Sequence, residues 1–515
     1  MAENQPENKY RMTTELSNFA ARLREIILSF SNVGDDVRSL FLQNRQSATP
    51  LRACSREIGV GNRQLSEPPH QPSSDYGTAG VGCYKNEFNA LALELFALQF
   101  KHNAAYRKIC EARLPRRSEA KAGGLTPGVV EHWTQIPAVP TAAFKELDLT
   151  CLASPERTTV FHSSGTMEQN PSRHYHSAES LNVYEASLLP WFLENVLPDL
   201  RFTTPTLVAC SRFIGVDDLR LVCLTPPSEQ APHSSLVHMF ETVRRKFSAE
   251  DFAFQTAHDE SVPERAGARF GVPPSGDCVN AELQTEVVRA STAFLGTVGM
   301  GDRWTLDFDR TLKTLREAVD QNRPLLLLGT AFSFVHLLDF LAERNLRFDL
   351  PAGSRVMETG GYKNHSRSMP KTDLHQFITE RLGISSSHII CEYGMSELSS
   401  QAYDLGALAS RRRVSSLCSE QDAGVTPAFP GLDTRHFRFP PWARAQIISP
   451  ETGREAADGE TGLIRVFDLA NVFSVMAIQT EDLGIRRGEH FELIGRAQLA
   501  EPRGCSLMAA ETRKS

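Results

Sequence analysis

The longest apolar run in the chain, residues 324–342 (PLLLLGTAFSFVHLLDFLA), decides first what the rest can be. A membrane span needs about 20 such residues. This run carries Gly329, His336 and Asp339, and ionisable groups are costly in hydrocarbon. The spacing therefore predicts a buried strand over 325–328, a turn at Gly329-Thr330 and a helix to about Asn345, with no membrane span. The same alternation recurs on both sides. Helices are expected over 179–197 and 306–322, short buried strands over 206–209 and 219–224, and a strand from Arg355 ending at Thr359. A helix over 371–382 then leads through Gly383 to a buried strand over 387–395. Strands alternating with helices predict an α/β architecture. The last hundred residues turn β-rich, with strands over 445–448, 462–467 and 475–479 and a hairpin over 480–496 that turns near Arg486-Arg487-Gly488-Glu489.

The N-terminal part differs. Residues 18–30 have helical apolar spacing, whereas 44–80 are rich in Ser, Pro, Gln, Asn and Arg without a sustained period. This predicts an extension over 1–82, a short helix plus a polar tether, followed by one large domain over 83–515 with a tail at 496–515. The helix is expected to dock on the main body. From Tyr84 a broad apolar helix begins with Phe88, Leu91, Leu95, Phe96 and Phe100. In 133–149 two prolines break any helix before an Ala-Phe-Lys segment, which suggests a lead-in loop beneath the main sheet.

A net charge of −7 argues against nucleic-acid or anionic-membrane partners, which favour clustered Lys and Arg. The start of the chain carries acids and lacks the basic and apolar regions of a secretory signal. Ten cysteines without a CxxC pair fit reduced thiols and a cytoplasmic protein.

Four signals carry chemistry. Ser163, Ser164, Gly165 and Thr166 follow a short β-prone stretch, and a glycine with neighbouring hydroxyls and N–H groups wraps phosphate oxygens. Gly360-Gly361 end a strand, where another backbone or a flat ring can approach closely. Tyr393-Gly394-Met395-Ser396-Glu397 put a carboxylate past a strand end, within reach of Mg²⁺ or a ligand, or at the first turn of a helix. Asp482, expected just past a strand, is suited to accept from both ribose hydroxyls, with Arg496 as a fixed cation nearby. Ser234 or Ser235 reads as a helix N-cap.

In this order the four signals resemble those of the adenylate-forming (acyl-CoA synthetase-like) enzymes. Within them the chain is most similar to the luminescence acyl-protein synthetase family, LuxE-type, also called long-chain-fatty-acid–protein ligases. The resemblance runs from about Tyr84 to Met508 through IPAVPTAAFK, HSSGT, HSSLVHM, LLLLGTAFSF, METGGYK, CEYGMSE and RGCSL. It implies the α/β large domain of that superfamily, with mixed sheets, flanking helices and a β-rich C-terminal part. It also implies ATP and Mg²⁺ as cofactors, a fatty or related carboxylic acid activated as acyl-adenylate, and transfer to a cysteine and on to an acyl reductase partner. By the same resemblance Ser163, Ser164, Gly165 and Thr166 hold the β- and γ-phosphates, and Gly360, Gly361, Tyr393 and Gly394 flank the adenine. Glu397 binds Mg²⁺, Asp482 and Arg496 hold the ribose, and Cys505 accepts the acyl group, with Arg503 close by to favour its thiolate.

The chain also departs from the pattern. Met-Glu-Gln-Asn follows Thr166 where acyl-CoA synthetases have Gly-x-Pro-Lys, leaving Arg173 or His174 as candidates for the lysine's charge. Glu481 stands where glycine is usual. The sequence ends soon after Arg496, so the usual small C-terminal domain with its catalytic lysine is expected to be largely absent, which favours a protein thiol over CoA. Two other readings stay open: an aryl- or acyl-CoA ligase of phenylacetate-CoA ligase type, and a catalytically quiet adenylate-binding scaffold that docks a partner through 1–82. The acid is expected to lie against residues from 226–239 and 332–340, whose apolar character suits a fatty chain or an aromatic ring.

Overall fold

The computed structural model describes residues 6–30, 79–113, 130–163, 170–198, 219–247, 293–299, 303–360, 369–404 and 435–497. In chain order the strands are β1 (Val139–Pro140), β2 (Thr159–His162), β3 (Arg173–His176), β4 (Arg220–Cys223), β5 (Gly296–Val298), β6 (Trp304–Leu306), β7 (Leu325–Thr330) and β8 (Arg355–Thr359). They continue with β9 (Ile389–Tyr393), β10 (Ala402–Asp404), β11 (His436–Arg438), β12 (Ala443–Ile448), β13 (Thr461–Asp468), β14 (Ala477–Arg487) and β15 (His490–Arg496).

Eleven of these strands form one sheet in the order β12-β13-β14-β15-β11-β10-β9-β8-β7-β4, with β1 added in parallel to β14. The sheet has two halves. β4, β7, β8 and β9 run parallel, and from β10 onward along this path every neighbour is antiparallel. The parallel half is covered on both sides, which is why β7, β8 and β9 read as continuous buried runs without polar alternation. Their side chains still alternate. Leu325, Leu327, Val356 and Ile389 join one hydrophobic cluster, under helices Phe308–Asp320, Ala331–Glu343 and Lys371–Leu382. Leu326, Leu328, Met357 and Ile390 join the other, with helices Ala178–Val196 and Ser235–Phe247.

The α/β architecture with a large mixed sheet, flanking helices and a β-rich C-terminal part is thus as expected from the sequence. Helix boundaries follow their caps. Asp307 accepts from Arg310 N at 3.0 Å, Thr330 from Ser333 N at 3.0 Å and Ser234 from Val237 N at 3.3 Å. Helix Lys371–Leu382 stops at Gly383, whose φ of +70° is open to glycine.

Four details differ from the sequence reading. The first helix begins at Pro6, not near Asn18, and it lies in the core: Leu16, Phe19, Ala20, Leu23 and Ile27 are buried. The prolines of the lead-in segment leave only a 3-10 turn at Trp133–Gln135 and a one-turn helix at Ala143–Glu146, and between them Val139–Pro140 pairs with β14 and Thr141 N donates to Gln479 O at 3.1 Å. Strand β14 runs from Ala477 to Arg487, so Asp482 sits within a strand and not past its end, because β13 and β15 pair with it along most of its length. Strand β7 passes straight into its helix without a separate turn. Residues 44–78 and the expected strand at 206–209 lie outside the described residues. No helix among the described residues is long and apolar enough to cross a membrane.

Candidate active site

A cavity of about 690 Å³ opens where β7, β8 and β9 end, at the seam between the parallel and antiparallel halves. Ligands of open α/β sheets sit at such a strand edge. Of the expected residues, Ser163, Gly360, Tyr393, Gly394, Glu397, Asp482 and Arg496 all line it. Ser164, Gly165, Thr166, Gly361 and Cys505 lie outside the described residues.

The phosphate-loop end is built on the β2–β3 hairpin. Ser163 N donates to Ser172 O at 3.3 Å, and Ser172 N donates to Ser163 Oγ at 3.0 Å, which closes the base of the loop. Ser172 Oγ then donates to Glu397 Oε1 at 2.7 Å, while Ser396 Oγ donates to Oε2 at 3.0 Å. Glu397 is only 2% exposed and is set on a turn-rich segment, not on a first helical turn, so the helix-dipole reading falls away. Asp468 holds that segment. Its Oδ2 accepts from Ser399 N at 2.9 Å and Ser400 N at 2.8 Å, and Asn471 Nδ2 donates to Glu397 O at 2.9 Å. A carboxylate joined through Ser172 to Ser163, the residues that flank the expected phosphate loop, is of the kind that suits Mg²⁺, a hard ion usually bound by one or two carboxylates plus substrate phosphates. Neither Arg173 nor His174 offers an uncommitted charge here. Arg173 pairs with Asp148 at 3.3 Å; the buried His174 ring approaches Ser396 O at 2.8 Å, and burial holds its pKa below the usual value.

The opposite end is held by side-chain pairing across β14 and β15. Asp482 and Arg496 are register partners, with Arg496 Nε 3.5 Å from Asp482 Oδ1 and Nη2 3.1 Å from Glu481 Oε2. Tyr393 donates its phenol to Asp482 Oδ2 at 3.0 Å, and burial, reinforced by the Asp482 carboxylate, keeps that phenol protonated. Gly360 turns with a φ of +79°. Gly394 leaves room for a neighbouring acid: a Cβ there would lie 2.3 Å from Glu392 Oε1 and would oblige that carboxyl to shift.

The substrate-pocket expectation holds for one of its two segments. Ser235, Leu236 and Met239 line the cavity. The segment 332–340 does not, since its large apolar side chains are taken up by the core beneath the sheet.

The sequence reading missed a buried ionic cluster at the ends of β8 and β9. Glu358, fully buried, accepts from Lys371 Nζ at 2.6 Å and lies 3.2 Å from His375 Nε2. Burial alone would raise its pKa, but Lys371 and His375 outweigh it and hold the carboxyl at about 2. One strand over, burial pushes Glu392 up to about 7, with Glu358 adding to the rise and the Thr359 hydroxyl, which donates to Oε2, opposing it. Cys391 also lines the cavity, but burial and then Glu358 keep its thiol protonated. The available signal was an acid within each of two short segments that read as buried strands, METGG and CEYG.

Residues 277–418 match the family model described as acyl-protein synthetase, LuxE. A long-chain-fatty-acid–luciferin-component ligase of Aliivibrio fischeri is 25% identical over 221 residues, which cover 41% of this chain and 51% of the relative. One of Vibrio harveyi is 21% identical over 216 residues, 40% of this chain and 50% of the relative. The chain thus spans about half the length of the curated relatives it matches. Among solved structures, a 2-hydroxyisobutyryl-CoA ligase in complex with 2-HIB-AMP and CoA aligns with a TM-score of 0.42 at 12% identity, over 80% of this chain and 69% of that one. ATP-bound MatB from Rhodopseudomonas palustris aligns with a TM-score of 0.32 at 14% identity, over 65% and 47%. The family-model match and the two curated relatives uphold the sequence resemblance to LuxE-type acyl-protein synthetases.

Proposed function

We propose that this protein activates a fatty or related carboxylic acid with ATP and Mg²⁺ and passes the acyl group to a protein thiol. The observation that supports it most directly is the convergence on one cavity of the Ser163–Ser172–Glu397 chain at one end and the Tyr393–Asp482–Arg496 set at the other. A triphosphate with its ribose needs hydroxyls and a metal-binding carboxylate at one end, and a diol acceptor at the other.

In this reading a carboxylate oxygen of the acid bonds to the α-phosphorus of ATP. The bond from that phosphorus to the bridging oxygen breaks, and pyrophosphate leaves. Glu397 would hold Mg²⁺, whose charge would offset that of the leaving group. Ser163 orients the phosphates, Asp482 accepts from the ribose hydroxyls, and Gly360, Tyr393 and Gly394 flank the adenine. The Cys505 thiolate then attacks the acyl carbonyl and AMP departs, leaving a thioester that can pass to an acyl reductase. Cys505 is favoured over Cys391 because the cavity thiol is held protonated.

Intact-protein mass after incubation with ATP, Mg²⁺ and a panel of fatty and aromatic acids tests this. A hydroxylamine-labile gain on wild type that is absent from Cys505→Ser is expected. Acyl label remaining on that variant would move the acceptor to another cysteine, and AMP release that depends on added CoA would favour a CoA ligase. Glu397→Gln is expected to lower pyrophosphate exchange by a factor of about 10³ or more while leaving the fold intact; normal exchange would remove the metal assignment.

A further inference from the structure

On the proposed activation chemistry rests a narrower reading of the acid itself. Thr330, Thr359 and Glu392 are register partners across β7, β8 and β9, so their side chains share one face of the sheet, and all three line the cavity. By alternation this face is that of Leu326, Leu328, Met357 and Ile390, the face of helices Ala178–Val196 and Ser235–Phe247. Those helices contribute Tyr184, Leu236 and Met239 to the same cavity. Lys371 and His375 come from the helix that covers the other face, yet both also line the cavity, and the Lys371 cation opposes the rise that burial gives Glu392. On this face of the sheet the cavity therefore has an apolar wall facing a row of two threonines and the Glu392 carboxyl, while Glu397, Glu481, Asp482 and Glu492 line it elsewhere.

The two oxygens of that carboxyl differ. Oε2 accepts from the Thr359 hydroxyl, whereas Oε1 lies beneath Gly394, in the place a Cβ would need, and accepts from no described residue. Oε1 is not enclosed and opens on the cavity, so a ligand that strips its water without offering a donor leaves the oxygen unpartnered at a cost. We propose that the acid activated here carries a hydrogen-bond donor along its chain, a hydroxyl or amino group, that is received by Glu392 Oε1. Leu236 and Met239 hold the methylene portion on either side of that contact. The neutral-to-ionised balance near pH 7 at Glu392 suits either donor, since a hydroxyl bonds to both forms and an ammonium draws out the carboxylate. Plain fatty acids leave Oε1 unpaired on binding, and a site built to bond a polar substituent discriminates against the analogue that lacks it.

The experiment is ATP–pyrophosphate exchange with a straight-chain saturated acid and matched hydroxy- and amino-substituted acids, the substituent placed at successive carbons. Wild type is expected to favour at least one substituted acid by about tenfold or more in kcat/KM, roughly 1.4 kcal/mol. Glu392→Leu is expected to bring that ratio to about one or below. Glu392→Gln, closer in shape, is expected to keep a preference for hydroxy acids and lose one for amino acids. A wild type that uses the plain acid as well as every substituted one overturns the inference and leaves acid activation standing, as does a preference that both variants retain. No exchange with any acid removes the activation reading itself, and this inference with it.

Discussion

Glu358 and Glu392 stand at the ends of neighbouring strands, equally deep in the protein, and are held in opposite states. Glu358 faces the helix that supplies Lys371 and His375 and is held at about 2. Glu392 faces Thr359 and an apolar wall and rises to about 7. Burial is common to both, so the difference lies in what the covering helix brings. A parallel sheet covered on both sides gives each strand-end acid a different helix, and Lys371, which hydrogen-bonds Glu358, acts on Glu392 only at a distance and does not offset its burial. One acid is part of the scaffold and the other remains available for a ligand.

The comparison breaks most severely by removing the cation. Lys371→Met strands a buried carboxylate, a change that costs roughly 3–5 kcal/mol for a fully buried pair and about 3 here, because Lys371 is one-third exposed. Denaturant unfolding at pH 7 measures it, and adding Glu358→Gln to that variant should recover most of the loss. If the double variant is no more stable than the single, the ion pair is not what holds the end of β8.

A smaller effect, roughly 2–3 kcal/mol, separates the two acids by pH. The folded value of Glu392 is raised above the usual 4.5, so its contribution to stability is present below pH 4.5 and lost as pH rises through about 7. Glu392→Gln should therefore gain stability relative to wild type between pH 4.5 and 8. The folded value of Glu358 is lowered, so its contribution is present above pH 4.5 and lost as pH falls through about 2, and Glu358→Gln should not show that acid-side loss. Parallel profiles for wild type and Glu392→Gln would mean that Glu392 is ionised throughout.

The finest adjustment is Thr359→Val, which removes the hydroxyl that donates to Glu392. It should raise the Glu392 titration midpoint further, by an amount worth about 1 kcal/mol, read by isotope-edited infrared absorption of the carboxyl group. An unmoved midpoint would assign the control of Glu392 to Glu358 and burial alone.

Much of this architecture could be read from residue order. The helix at Lys371–Leu382 emerged with its Gly383 stop because a local cap and a local period specify it. The β14–β15 hairpin emerged likewise, with Gly488 at its turn. Features set by distant partners did not. A two-residue strand such as Val139–Pro140 has no period of its own and exists because Ile478 and Gln479 are there to pair with it. Strand β14 hides Asp482 in its middle for the same reason. The acids of METGG and CEYG were passed over because nothing in an all-buried strand shows which face a side chain takes or what waits there. The motif residues Ser163, Gly360, Tyr393, Glu397, Asp482 and Arg496 were legible as types of chemistry, and the structure brings them to one cavity.

The docked first helix changes where this protein can be cut. The polar stretch over 44–80 invites a cut before residue 83. Yet Phe19, Leu23 and Ile27 fill the core, and burying each side chain contributes roughly 1.5–3 kcal/mol. Ser17 bonds Glu179 at 2.8 Å on the helix that also carries Tyr184 into the cavity wall. A trimming that looks harmless would uncover the back of that helix. The safe boundary lies upstream of Pro6, and a partner seeking this segment would have to compete with the protein's own interior.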